Sequence, residues 1–249
     1  MRKNKEVFSV RILVITALLI AISIILTRFF SISMPTLRIG FGDVPVILGG
    51  MFFGPLVGAV TGALSDFIGY LINPMGGNYF PGFTVSAALR GAIPGFLFIV
   101  MRNKPIKVNY SILSGISVLS ISLGFILSTQ KAEALSFFNW SVALKVGYIA
   151  ITFIFAILPF IVLKFAKVKE EQVVYSLDKI LFAVTLGYIV ISILLNTYWL
   201  ALLYGKAFMA MLPSRVITGL VIIPIHSIVI WALAKPLSKI EASKPLEGV

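Results

Sequence analysis

The 249-residue chain contains no cysteine. Disulfides, thiolate nucleophiles and sulfur-rich metal centres are therefore excluded. A single histidine, His226, leaves no means of building a histidine cluster for a metal. Charge is scarce as well: 12% of the residues are Asp, Glu, Lys or Arg, against about 25% in a soluble domain. Acids are scarcest, 9 against 21 basic residues, which gives a net charge of +12. No Gly-x-x-x-x-Gly-Lys-Ser/Thr phosphate loop and no nucleophile–His–acid order occur, so neither ATP hydrolysis nor a standard hydrolase site is encoded here. No cofactor or metal is expected.

Most of what remains is hydrocarbon. The chain is 59% hydrophobic with a mean hydropathy of +1.05. Several apolar runs approach 20 residues, the length of a spanning helix and about twice that of a barrel strand. The pattern predicts an all-α, polytopic protein of a cell membrane with about eight helices, near 12–26, 39–51, 56–72, 83–100, 110–127, 142–163, 180–203 and 216–233. The basic residues gather at helix ends, which argues for topology rather than nucleic acid. With the N-terminus inside, most Lys and Arg fall on the cytoplasmic side and both termini are cytoplasmic.

The chain is organised around residues 34–83. Gly54-Pro55 breaks two apolar runs, and small residues at Gly58, Gly62, Ala63 and Ser65 suit close helix approach in a bilayer. Asp43 and Asp66 lie inside these runs, and an intramembrane acid is a functional-site hypothesis by default. Helical rise puts Asp66 roughly 16 Å from the inner surface and Arg90 roughly 10 Å from the outer one, nearly level in a core of about 30 Å. An Asp66–Arg90 ion pair is therefore expected, structural rather than ligand-contacting. The loop after helix three is rich in turn-formers and aromatics, among them Tyr79, Phe80 and Phe83.

Arg28, Arg38, Lys206 and Arg215 fall on the outer side, where the positive-inside rule disfavours them. Singly, each reads as a headgroup anchor. Four together beside an aromatic loop favour an anionic ligand. Near the outer end of helix seven, Trp199 and Tyr204 read as interface-belt residues, whereas a buried Asn196 wants a partner. His226, after Pro224, reads as a hydrogen-bonded core residue.

Six segments carry a resemblance. They are 37–41, 49–55, 79–84, 195–199, 203–208 and 212–215. In this order they resemble the folate-type substrate-binding (S) component of energy-coupling factor (ECF) vitamin transporters. Ala17 and Ala21 are similar to the small-xxx-small motif by which S components dock on their coupling subunit. The resemblance covers about 12–100 and 177–233, one transmembrane domain, with an inserted helix pair near 108–171 that six-helix S components lack. Asp43 and Arg90 depart from the family's pattern, which bears on the vitamin more than on the fold.

The resemblance implies a six-helix core that takes its vitamin from outside, gated by the loops after helices one and three. A transmembrane coupling subunit and two ATPases would drive release inward. Folate suits the residues: Asp43 or Asp66 would accept from the pterin N–H groups, and Tyr79, Phe80, Phe83 or Trp199 would stack on its rings. Arg38 and Arg215 would hold the glutamate carboxylates. Asn196 and Tyr204 complete the expected site. The alternatives are an S component for another anionic or heteroaromatic compound, an intramembrane enzyme, and a passive channel subunit. Only the S-component readings require an ATPase and a coupling subunit to co-purify.

Overall fold

The computed structural model describes residues 10–34, 37–74, 78–103, 175–205 and 208–242, with scattered positions between 110 and 153. Helix α1 is Val10–Arg28, running two residues past the predicted end. Where a loop was expected, Ile32–Met34 (β1) and Leu37–Ile39 (β2) pair antiparallel, with Ser33 opposite Arg38. Alternating apolar and polar residues suit such a ribbon, and it displaces the predicted start of helix two towards the C-terminus.

Helix α2, Asp43–Phe53, has 11 residues and α3, Pro55–Ile72, has 18. At 1.5 Å per residue α2 reaches about 16 Å, half the hydrocarbon core, so it does not cross alone. The two form a helical hairpin that reverses at Gly54, whose φ of 93° is a region glycine enters without steric cost. Pro55 then opens α3, where its missing N–H is no loss. Helix α4 is Pro81–Asn103.

Next comes α5, Leu177–Gly187, which passes into a π-helical segment, Tyr188–Leu195, and then into α6, Asn196–Tyr204. Gly205, at φ 61°, ends α6 in the left-handed conformation. The last helix, α7, is Phe208–Ala242 and overruns its predicted bounds at both ends. Five helices among the described residues are long and apolar enough to cross a membrane. The expected pair near 110–127 and 142–163 lies largely outside the described residues, though Tyr110, Ile112 and Ile149 are helical.

The described residues fall into two compact units. One draws on Met1–Ser31, Gly40–Val100 and Val229–Val249, the other on Ile32–Ile39 and Met101–Ile228. In the first, glycines bring backbones into direct contact. A Cβ on Gly58 would lie 2.6 Å from the Gly50 Cα, and one on Gly95 would lie 2.7 Å from the Pro55 nitrogen. Gly62 meets the Ala87 carbonyl, and Gly91 meets the backbone of Gly58. Lipid tails are as apolar as leucine, so this close packing, rather than water exclusion, is what holds membrane helices together.

Burial follows the same logic. Large apolar side chains such as Leu13, Val14, Leu71, Phe96 and Ile228 are exposed, as lipid-facing residues are. Many buried side chains are small and hydroxylic, including Thr61, Ser65, Thr185 and Ser227. Each of these four donates to the carbonyl four residues back, at 2.6–2.7 Å, so the polar atom is satisfied within its own helix.

Candidate functional site

In the first unit, Arg28 and Asp66 sit at the centre of a chain of polar contacts. Arg28 closes α1 and is buried, its side chain 4% exposed. Its Nη1 donates to the Asn73 carbonyl at 3.0 Å and its Nη2 to the Asp66 carbonyl at 3.2 Å. The Asn73 carbonyl lies just past the C-terminal end of α3, where the helix dipole favours a cation, and the Asp66 carbonyl lies within the last two turns of the helix. Gly69 makes room: a Cβ there would come 2.8 Å from Arg28 Nε.

Arg28 Nη2 also faces the Asp66 carboxylate at 3.7 Å, an ion pair longer than a good hydrogen bond. The other carboxylate oxygen of Asp66 accepts from the Thr84 hydroxyl at 2.8 Å. Thr84 shares a 2.9 Å hydrogen bond with the Tyr79 hydroxyl. The Tyr79 ring lies 5.6 Å from that of Phe67 and 5.2 Å from that of Tyr70. Phe80 and Phe83 pack edge to face at 5.6 Å. The polar chain thus ties α1, α3, the aromatic loop and the start of α4 into one place.

A second ion pair lies in the same unit. Arg90 Nη1 donates to Asp43 Oδ1 at 2.5 Å, with side-chain exposures of 26% and 36%. Asp43 opens α2, where the N-terminal dipole favours an acid. The expected Asp66–Arg90 pair is therefore replaced by two others, Asp66–Arg28 and Asp43–Arg90. Matched depth along two helices says nothing about which way each side chain faces around its axis. Arg28, read as a loop residue, supplies the cation that Asp66 meets.

The second unit holds the remaining expected residues. Arg215 is buried at 4% exposure and donates from Nη1 to the Ser192 carbonyl at 2.9 Å and to the Ser192 hydroxyl at 3.3 Å. Tyr188 donates to the Arg215 carbonyl at 2.8 Å. The π-helical register of 188–195 shifts the backbone bonding, and Arg215 with Thr197 supplies donors to Ser192. Arg215, expected to hold a ligand carboxylate, here joins its own helix to the π-helical segment. The amide oxygen of Asn196 is buried and without a hydrogen-bond partner among the described residues, so it is an acceptor awaiting a donor.

Trp199 packs against Tyr198 at 5.1 Å, and Tyr204 is exposed at the end of α6. Arg38 occupies β2, and its side chain, like all of Lys206, lies outside the described residues. Ala17 and Ala21 are both exposed on α1, off the face of the buried Thr16 and Ser23, although the buried Ile24 follows on their own side of the helix. Thr84, Tyr70 and Phe67 were missed from sequence. Thr84 lies 18 residues from the acid it serves, and only the aromatic richness of the region signalled the rings. Among the described residues no three acid or histidine side chains converge as metal ligands would.

Residues 11–130 match the family model described as "ECF transporter, substrate-specific component". The chain is 28% identical over 232 residues to the folate transporter FolT of Clostridium novyi (strain NT), covering 93% of this chain and 92% of the relative. The family match spans a little under half of the chain, and over it the chain is similar to the substrate-specific (S) components of ECF transporters. A crystal structure of FolT bound with folic acid superposes with a TM-score of 0.57 at 23% identity, covering 92% of this chain and 97% of that one. That likeness shows the fold. The long apolar helices fit a multi-pass cell-membrane protein.

Proposed function

We propose that the protein is an ECF S component that binds folate or a related pterin from the outer side and delivers it inward, in an ATP-driven importer with a transmembrane coupling subunit and two ATPases. The observation that carries the reading is correspondence with FolT along 93% of the chain. The first unit supports it chemically. Asp66 offers a partly exposed carboxylate in an ion pair of 3.7 Å, beside Tyr79 and the rings of Phe67 and Tyr70. A flat heterocycle would be stacked by the rings, with Asp66 or Asp43 as the acceptor of its N–H donors. Phe80 and Phe83 are the further stacking candidates. Of the two arginines expected at a glutamate tail, Arg215 donates to Ser192 within the second unit.

The test is calorimetry on the detergent-purified protein, with mass spectrometry of whatever small molecule co-purifies. Folic acid is expected to bind saturably, and a vitamin of unrelated shape such as biotin is not. Recovery of a different vitamin, with no folate binding, would replace the substrate and keep the family. Co-purification of the coupling subunit and ATPases from a native membrane tests the partners.

A further inference from the structure

Arg90 and Asp43 face each other at a depth where charge is costly. Arg90 stands nine residues beyond Pro81 in α4, about 13 Å along the helix and close to the middle of a hydrocarbon core of about 30 Å. Among the described residues the pair makes one hydrogen bond, Nη1 to Oδ1. A guanidinium has five N–H groups and a carboxylate two oxygens, so four donors and one oxygen are left over. The side chains are a quarter to a third exposed, so those atoms are within reach of another molecule. Left against lipid they would be unsatisfied, which membrane proteins avoid. The bonded geometry holds donor and acceptor side by side, in fixed relative position.

We infer that the Asp43–Arg90 pair reads the lactam edge of a 2-amino-4-oxo heterocycle, and that Arg90 is a specificity-determining residue of the site. This inference rests on the pterin reading above. Such an edge carries an oxygen acceptor at position 4 directly beside an N–H and an amino group. Arg90 donates to the oxygen while the second oxygen of Asp43 accepts from the adjoining N–H groups. The two groups read the edge together: in a 2,4-diamino form the ring nitrogen beside position 4 carries no hydrogen, so Asp43 meets a lone pair there. Arg90 adds to the discrimination, since an amino group at position 4 turns its hydrogens toward guanidinium hydrogens. A site built to bond one polar group discriminates strongly against an analogue that cannot make the bond.

The test compares folic acid with aminopterin, which keeps the ring system and glutamate tail and replaces the 4-oxo group by an amino group. In the unaltered protein, calorimetry is expected to show folic acid bound at least about tenfold more tightly. Arg90→Gln is expected to lower that ratio by at least about threefold, because a side-chain amide turns to offer either its NH2 or its oxygen while Asp43 still reads the ring N–H. Asp43→Asn/Arg90→Gln, which leaves no unpaired charge and two amides free to turn, is expected to bring the ratio to within about threefold, and it carries the test if the single variant fails to fold. Equal binding of the two compounds by the unaltered protein overturns the inference. So does an unchanged ratio in either variant. Should the unaltered protein bind neither compound, the pterin reading itself fails, a result distinct from equal binding of both.

Discussion

Arg28 holds the Asp66 carbonyl within α3, the Asn73 carbonyl just beyond it and the carboxylate of Asp66, and it does so almost fully buried. An arginine in that position is stable only because the elements around it offer acceptors. Removing one member of a buried ion pair strands the other, at a cost of about 3–5 kcal/mol. Arg28→Gln is therefore expected to destabilise the protein by that amount, read as denaturation in detergent. Asp66→Asn, at a residue about a fifth exposed and with its hydrogen bond to Thr84 in prospect, is expected to cost less. A double-mutant cycle checks the pairing. Arg28 and Asp66 should couple by at least about 0.5 kcal/mol, whereas Arg90→Gln and Asp66→Asn should add to within about that figure. Coupling of Arg90 to Asp66, with none at Arg28, would restore the pairing that depth alone suggested.

The elements meet through glycine. At Gly91 a Cβ would run into the backbone of Gly58, and backbone cannot step aside as a flexible side chain can. Gly91→Ala is expected to cost about 1–3 kcal/mol, the usual range for overpacking, and to loosen α4 from the α2–α3 hairpin. Gly187, at the end of α5, lies in helical conformation at φ −58°, and a Cβ added there would meet nothing within 4 Å. An alanine at that position is expected to be neutral or to stabilise by about 0.5–1 kcal/mol, through its better helix propensity. Thermal denaturation of the two variants side by side is the measurement. Equal losses would mean that the glycine contacts do not hold the hairpin. The π-helical segment belongs to this scale too: its changed register and the reach of Arg215 from α7 satisfy one another.

For the whole molecule, Ala17 and Ala21 are both exposed on α1, on a side of the helix that turns inward only at Ile24. Val14, Leu18 and Ile25 are exposed with them. Two alanines four residues apart make a flat strip along which a partner helix can approach closely. Ala17→Trp with Ala21→Trp is expected to leave folate affinity of the isolated protein within about threefold, because neither side chain packs internally, a difference under about 0.7 kcal/mol. The same pair of changes should abolish co-purification with the coupling subunit and ATP-driven uptake. Loss of ligand binding in the isolated protein would show that α1 packs inward on that face.

Composition and local chemistry alone determined a good deal of this protein. An apolar chain with scarce charge must span a membrane as helices, since every backbone group has to be satisfied within the segment. Gly54-Pro55 could only be a reversal, because positive φ and a missing N–H act on the residue itself. The aromatic loop and the small-residue faces were legible for the same reason: their signals lie within one or two helical turns. The charge pairing was not legible. Arg28 and Asp66 are 38 residues apart and Asp43 and Arg90 are 47, on different helices. Counting residues along each helix yields depth but not the direction a side chain faces, and that direction is set by which helices pack together. Only tertiary structure brings Arg28 onto the end of α3, commits Arg215 to Ser192, and leaves Arg90 beside Asp43 with donors to spare.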